Sequence, residues 1–165
     1  MKADLKCWLR VIGLGQLLRG DDALGLLAAQ QLQQQFPGLE VLCCGGEASE
    51  LYYALLGAER VLLLDALQAG KTVGTLIELD PRVSPLPQEW CTSTHAFGLT
   101  QALALAETLE DLPPWVRILG LQAGSFALGS GLTSAVAAAM PQLLARATAI
   151  ITEWRQDSNQ GESHA

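Results

Sequence analysis

The stretch Arg60-Val61-Leu62-Leu63-Leu64-Asp65 constrains this chain more than any other. Its unbroken apolar run leaves no polar face, so a strand made from it must be covered on both sides, as in a parallel sheet with helices above and below. Asp65 then stands at the carboxyl end of that strand. Too few residues separate it from the next strand candidate, residues 75–79, for the helical crossover that neighbouring parallel strands require. That strand is therefore expected to run antiparallel.

The other elements alternate around this strand. Residues 7–13 are short, apolar and closed by Gly13, as a first strand should be. Residues 21–35 repeat apolar side chains at Leu24, Leu27, Ala28 and Leu32, with glutamines opposite and Pro37-Gly38 as a stop, which predicts an amphipathic helix. Residues 39–44 read as a strand, and residues 49–56 as a helix capped by Ser49 and ended by Gly57. Pro81, Pro85 and Pro87 predict a loop as far as Thr94. A helix over 98–109 follows, then a strand over 116–120 and a glycine-rich loop over 120–131. A long helix opened by Thr133 or Ser134 runs to about Arg155. This pattern predicts an α/β fold, a three-layer αβα sandwich on a mostly parallel, twisted five-stranded sheet with one antiparallel strand. Residues 1–155 are expected to form a single domain and residues 156–165 a polar, disordered tail.

Composition excludes several classes of function. At 165 residues, half of them apolar and 16% charged, the chain should bury roughly 70% of its unfolded surface, which rules out disorder as the main state. Ten Lys and Arg against seventeen Asp and Glu give a net charge of −7, so nucleic acid and anionic membrane would be repelled. Cys7, Cys43, Cys44 and Cys91 have neither disulfide-scaffold nor paired zinc spacing and are expected to be reduced. The first ten residues carry Lys2, Asp4, Lys6 and Arg10 and lead into no signal-peptide pattern. The longest apolar tract, residues 132–154, is interrupted by Pro141, Gln142 and Arg146, unlike a membrane span. A cytoplasmic protein is expected.

In open α/β sheets, ligands bind outside the carboxyl ends of the strands, near the point where strand order reverses. The loop from Gly13 to Asp22 belongs there and is glycine-rich, yet Leu18 stands where a dinucleotide fingerprint needs its third glycine. Asp21 stands where a phosphate loop needs lysine. Asp21 and Asp22 have an ordinary explanation as acidic residues at a helix N-terminus. For Asp22 a functional reading gains weight from Asp65, because both emerge at one edge of the sheet and paired carboxylates attract a cation. His95, between the proline-rich loop and a helix, can reach the same edge, whereas His164 lies in the tail. Asp22, Asp65 and His95 make an oxygen and nitrogen ligand set compatible with zinc, nickel or manganese. No nucleophile elbow is present. Cys91, although near His95, reads as a loop or core cysteine, and Cys43 and Cys44 should point to opposite faces of a strand end.

Several segments together resemble the nickel-iron hydrogenase maturation endopeptidases, from about Leu9 to Ile151. The opening Gly13-Leu14-Gly15-Gln16-Leu17-Leu18-Arg19-Gly20-Asp21-Asp22-Ala23-Leu24-Gly25 is similar to that family's first strand, turn and acidic helix start. Ala58-Glu59-Arg60-Val61-Leu62-Leu63-Leu64-Asp65-Ala66, with Gly70 and Gly74-Thr75 after it, resembles its central strand and hairpin. Thr94-His95 with Gly98-Leu99, Gly120-Leu121-Gln122 and Gly131-Leu132-Thr133 also fit. The resemblance implies an endopeptidase that removes a short C-terminal extension from the hydrogenase large-subunit precursor once nickel is inserted. It places the family's metal-binding and catalytic residues on Asp22, Asp65 and His95. The nickel is implied to be the substrate's own, with none held tightly by the resting enzyme, and the enzyme to be a monomer. Three positions depart from the family: Gln16 for the usual asparagine, Cys44 for an acidic residue before Gly45-Gly46, and Ala123 for a proline. The competing reading is a non-proteolytic metallochaperone or metal-sensing domain for the same large subunit, using the same three ligands.

Overall fold

A computed structural model describes residues 7–87, 90 and 94–162, without the side chains of 7, 94–96 and 160–162. Cys91 and His164 lie outside the described residues. Five strands, β1 (Cys7–Leu14), β2 (Glu40–Cys44), β3 (Ala58–Leu67), β4 (Leu76–Leu79) and β5 (Trp115–Gln122), form one sheet in the order β2-β1-β3-β5-β4. β1 pairs in parallel with β2 and β3, and β3 with β5; β4 alone among them runs antiparallel, Leu79 opposite Ile118. The helices are α1 (Leu24–Gln35), α2 (Ala48–Leu55), α3 (Thr94–Thr108) and α4 (Ser134–Glu162), with a 3-10 turn at Gly20–Ala23 before α1. The expected αβα architecture and the reversed strand are both present.

Alternation along β3 divides the core between the two faces. Leu62, Leu64 and Ala66 join Val11 and the apolar stripes of α1 (Leu24, Ala28, Leu32) and α4 (Val136, Met140, Leu143). Val61, Leu63 and Leu67 join Ile12, Leu14 and the stripes of α2 (Leu51, Leu55) and α3 (Leu99, Leu103). A strand buried on both faces has no room for a polar side chain except near its end, which is where Asp65 falls. α4 is long and apolar enough to cross a membrane by length and composition, but its apolar stripe is spent on the sheet and on α1.

Some boundaries differ from the sequence reading. α4 does not stop near Arg155 but continues to Glu162, so residues 156–162 are helical and not a disordered tail. The cause is tertiary: Asp157 pairs with Arg60 at 3.3 Å, and Arg60 lies over the rings of Trp8 and Trp115 at 4.7 and 5.1 Å. α3 begins at Thr94, so Gly98 lies inside its first turns. There a Cβ would stand 2.0 Å from the Gly46 carbonyl oxygen, and glycine permits the contact. Ser49 does not cap α2, which is entered from Glu47 without a side-chain cap.

Candidate active site at the carboxyl edge of the sheet

β1 leads to α1 on one face and β2 returns through α2 on the other, so the strand order reverses between β1 and β3. Everything that meets at this reversal is held by close backbone contacts. A Cβ on Gly25 would stand 2.3 Å from the Leu64 carbonyl oxygen and 2.4 Å from that of Leu14. One on Gly13 would stand 2.5 Å from the Gly25 carbonyl oxygen. Two glycines therefore let α1 start directly against the ends of β1 and β3. Gly15, at φ 134°, turns the chain while its amide donates to the Cys44 carbonyl at 3.0 Å.

Asp22 lies in the 3-10 turn, which packs against β3. Its Oδ1 is 3.4 Å from the position of a Cβ on Gly15. Asp65 sits on β3 opposite Gly120, one step beyond the Leu64–Gly13 pair, and by strand alternation faces the α2/α3 side with Leu63 and Leu67. Both aspartates are almost fully buried, at 4% and 2% exposure. His95 lies in the first turn of α3, docked at the same edge by the Gly98–Gly46 approach; its side chain lies outside the described residues. Among the described residues no group of three His, Cys, Asp or Glu gathers as a metal cage.

Asp21 behaves differently from the helix cap that its position suggested. It is fully buried and its carboxylate reaches across to the loop after β5. It accepts the amides of Thr133 at 2.7 Å, Gly124 at 2.7 Å and Ser125 at 3.1 Å, and the Thr133 hydroxyl at 2.9 Å. Burial alone would raise its pKa. The Thr133 amide, then those of Gly124 and Ser125 and the Thr133 hydroxyl, outweigh burial and hold it below the ordinary carboxylate value. Backbone bonds reinforce the join: Asp21 amide to Ser125 carbonyl at 2.9 Å, Gly20 amide to Ser130 carbonyl at 3.1 Å, Gly129 amide to Leu18 carbonyl at 2.9 Å. Of the neighbouring aspartates, Asp21 is thus engaged by the loop after β5, and Asp22 lies in the turn that packs against β3.

The sequence reading missed this clamp and named Gln122 only within a family-like segment; Gln122 is a buried amide that fixes the turn after β3. Its Oε1 accepts the amides of Ala69 at 2.8 Å and Lys71 at 3.2 Å, while its Nε2 donates to the Ala123 carbonyl at 3.0 Å. A polar residue closing an apolar strand was the available signal. Two departures from the family pattern acquire local explanations. Ala123 donates its amide to the Leu67 carbonyl at 2.9 Å, a bond proline would lack. Cys44 is buried, its thiol pushed up to about 11 chiefly by desolvation, and the nearby carboxylate is instead Glu50, which accepts the Gly45 amide at 2.9 Å. Cys43 is exposed, so the two cysteines do face opposite ways.

Comparison with known proteins agrees with this fold. The family model described as hydrogenase maturation protease matches residues 27–150, a span that contains Asp65 and His95 and begins just after Asp22. The hydrogenase expression/formation protein HoxM of Cupriavidus necator is 26% identical over 148 residues, 87% of this chain and 73% of that protein. The hydrogenase 2 maturation protease of Escherichia coli is 25% identical over 147 residues, 87% of this chain and 90% of that one. Among solved structures, an endopeptidase from Escherichia coli superimposes with a TM-score of 0.80 at 25% identity, covering 88% of this chain and 93% of its own. The hydrogenase maturating endopeptidase HybD of Escherichia coli gives 0.76 at 23% identity, over the same shares of the two chains.

Proposed function

The chain belongs to the hydrogenase maturation protease family, and from that premise we propose that it removes the C-terminal extension of a nickel-iron hydrogenase large-subunit precursor after nickel insertion. We propose further that Asp22, Asp65 and His95 recognise the nickel carried by the precursor. The observation that supports this reading is that two nearly fully buried aspartates from distant segments lie on elements that end at one strand reversal, and that the helix bearing His95 approaches Gly46 at the same edge of the sheet. Two carboxylates and an imidazole suit a borderline divalent ion such as nickel. Asp21 is instead engaged by amides and a hydroxyl of the loop after β5.

In this mechanism the metal is part of the substrate and reports that the precursor is loaded. Asp22 and Asp65 contribute negative charge where the precursor's metal arrives, and the contact positions the scissile peptide for attack by water. A carboxylate of the pair can take the proton from that water. The free enzyme is proposed to hold no nickel tightly and to act as a cytoplasmic monomer.

The test is incubation of the purified protein with nickel-loaded and nickel-free precursor, read by the mass of the large subunit. Loss of a C-terminal peptide from the loaded form alone is expected. Tight binding without shortening would replace this reading with a metallochaperone.

A further inference from the structure

The loops that flank the candidate site carry exposed leucines on an unusually well-fastened backbone. Leu17 and Leu18 are 54% and 73% exposed, and Leu128 is 78% exposed. Leu18 offers its carbonyl to Gly129, next to Leu128, so the two loops meet backbone to backbone at these leucines. Gly20 allows the approach, since a Cβ there would stand 2.6 Å from the Ser125 carbonyl oxygen. The buried Asp21 carboxylate closes the join from below through four donors. Mobile loops tolerate exposed leucines at little consequence, whereas a fixed loop pair presents them as a preformed surface.

We propose that Leu17, Leu18 and Leu128 form the docking surface for an apolar segment of the large-subunit precursor close to its scissile bond. This rests on the function proposed above and adds what holds the polypeptide once its nickel is read. Continuity argues for that occupant: Leu17 and Leu18 lie on the loop between β1 and the 3-10 turn that carries Asp22, so a chain crossing the leucines leads to the strand reversal. Charge argues likewise. Residues 15–20 and 124–133 contain one ionisable side chain, Arg19, in a chain of net charge −7. The surface is thus free of the carboxylates that prevail elsewhere, and it fits an apolar segment that is neutral or acidic.

The experiment compares the wild type with L17S/L18S, L128S and, as a control, V83S, whose side chain is 81% exposed elsewhere on the surface. KM for cleavage of loaded precursor and Kd for its binding are both measured, with circular dichroism to verify folding. Each leucine variant should raise KM and Kd about tenfold with kcat within about twofold, and V83S should match the wild type. Wild-type KM and Kd in the leucine variants would overturn the docking surface while leaving the protease reading intact. Absence of cleavage by the wild type would remove that reading, and Kd would still decide the surface. Wild-type dimers that the leucine variants dissociate, seen by sedimentation, would assign the surface to a second copy and overturn the proposal.

Discussion

The Asp21 carboxylate and the Thr133 backbone amide, 112 residues apart in the chain, meet at 2.7 Å beneath the two loops that flank the strand reversal. The same carboxylate holds Gly124 and Ser125, so one side chain ties the start of α1 to the entrance of α4. Replacing it with asparagine puts a donor group among donors. D21N should cost roughly 2–3 kcal/mol, the range for hydrogen bonds to a buried charged group. Because its folded pKa lies below the unfolded value, Asp21 contributes stability above the unfolded pKa and loses it as pH falls through the folded one. Urea midpoints measured from about pH 6 down to about pH 2 should therefore fall less steeply for D21N than for the wild type.

Gly25 should be intolerant of even one methyl group. The three atoms facing an added Cβ, the carbonyl oxygens of Leu64 and Leu14 and the Leu14 nitrogen at 2.9 Å, are all main chain of the sheet, so relief requires α1 to move off β1 and β3. G25A should lose about 3 kcal/mol, at the high end for overpacking. Denaturant unfolding of G25A beside A29G, a change in the same helix that removes volume, separates crowding from helix propensity.

Arg10 is buried in β1 and donates to the carbonyls of Ala54 and Leu56 at 2.7 and 2.6 Å, where α2 ends, and to Glu40 at 3.0 Å. R10M should destabilise by about 2 kcal/mol, since the two carbonyls lose a charged donor. E40Q, which removes only the half-exposed partner, should cost less than about 1 kcal/mol. Equal effects in thermal melts would contradict this ranking.

The adjacent cysteines should differ in reactivity. With its thiol raised to about 11, Cys44 is only about 0.1% thiolate at pH 8, and it is buried as well. Alkylation by iodoacetamide, followed by peptide mass mapping, should mark Cys43 well before Cys44. Denaturant should erase the difference.

For the candidate site, D22N, D65N and H95A should each lower processing of nickel-loaded precursor at least about a hundredfold. Circular dichroism should show all three variants folded, which separates loss of processing from loss of structure. Normal processing by all three variants, read by mass, would remove these residues from the mechanism.

Much of this was legible in the sequence because the signals were local. The apolar run before Asp65 requires cover on both faces, and the short link to residues 75–79 forbids a parallel neighbour. Those two facts suffice for the layers and for the reversed strand. Asp22, Asp65 and His95 could be brought to one edge for the same reason, since strand ends share it. What escaped depends on partners far along the chain. Asp21 looks like a helix cap until the loop at 124–133 is folded back on it. The last turns of α4 look like a tail because Arg60, which holds Asp157, lies 97 residues earlier. Gly98 was read as a boundary, whereas it marks the place where α3 touches Gly46.

The reversal of β4 also has a consequence for how the histidine is delivered. β4 lies at one edge of the sheet and Gly46, which Gly98 of α3 touches, follows β2 at the other, four strand spacings or about 19 Å away, and fourteen residues link β4 to α3. A chain of that length can extend to about 45 Å. Leu86 and Trp90 of that link pack on the α2/α3 face. The link that leads to His95 is therefore longer than the span between its ends requires, and gain or loss of a few residues in it leaves the five strands where they are.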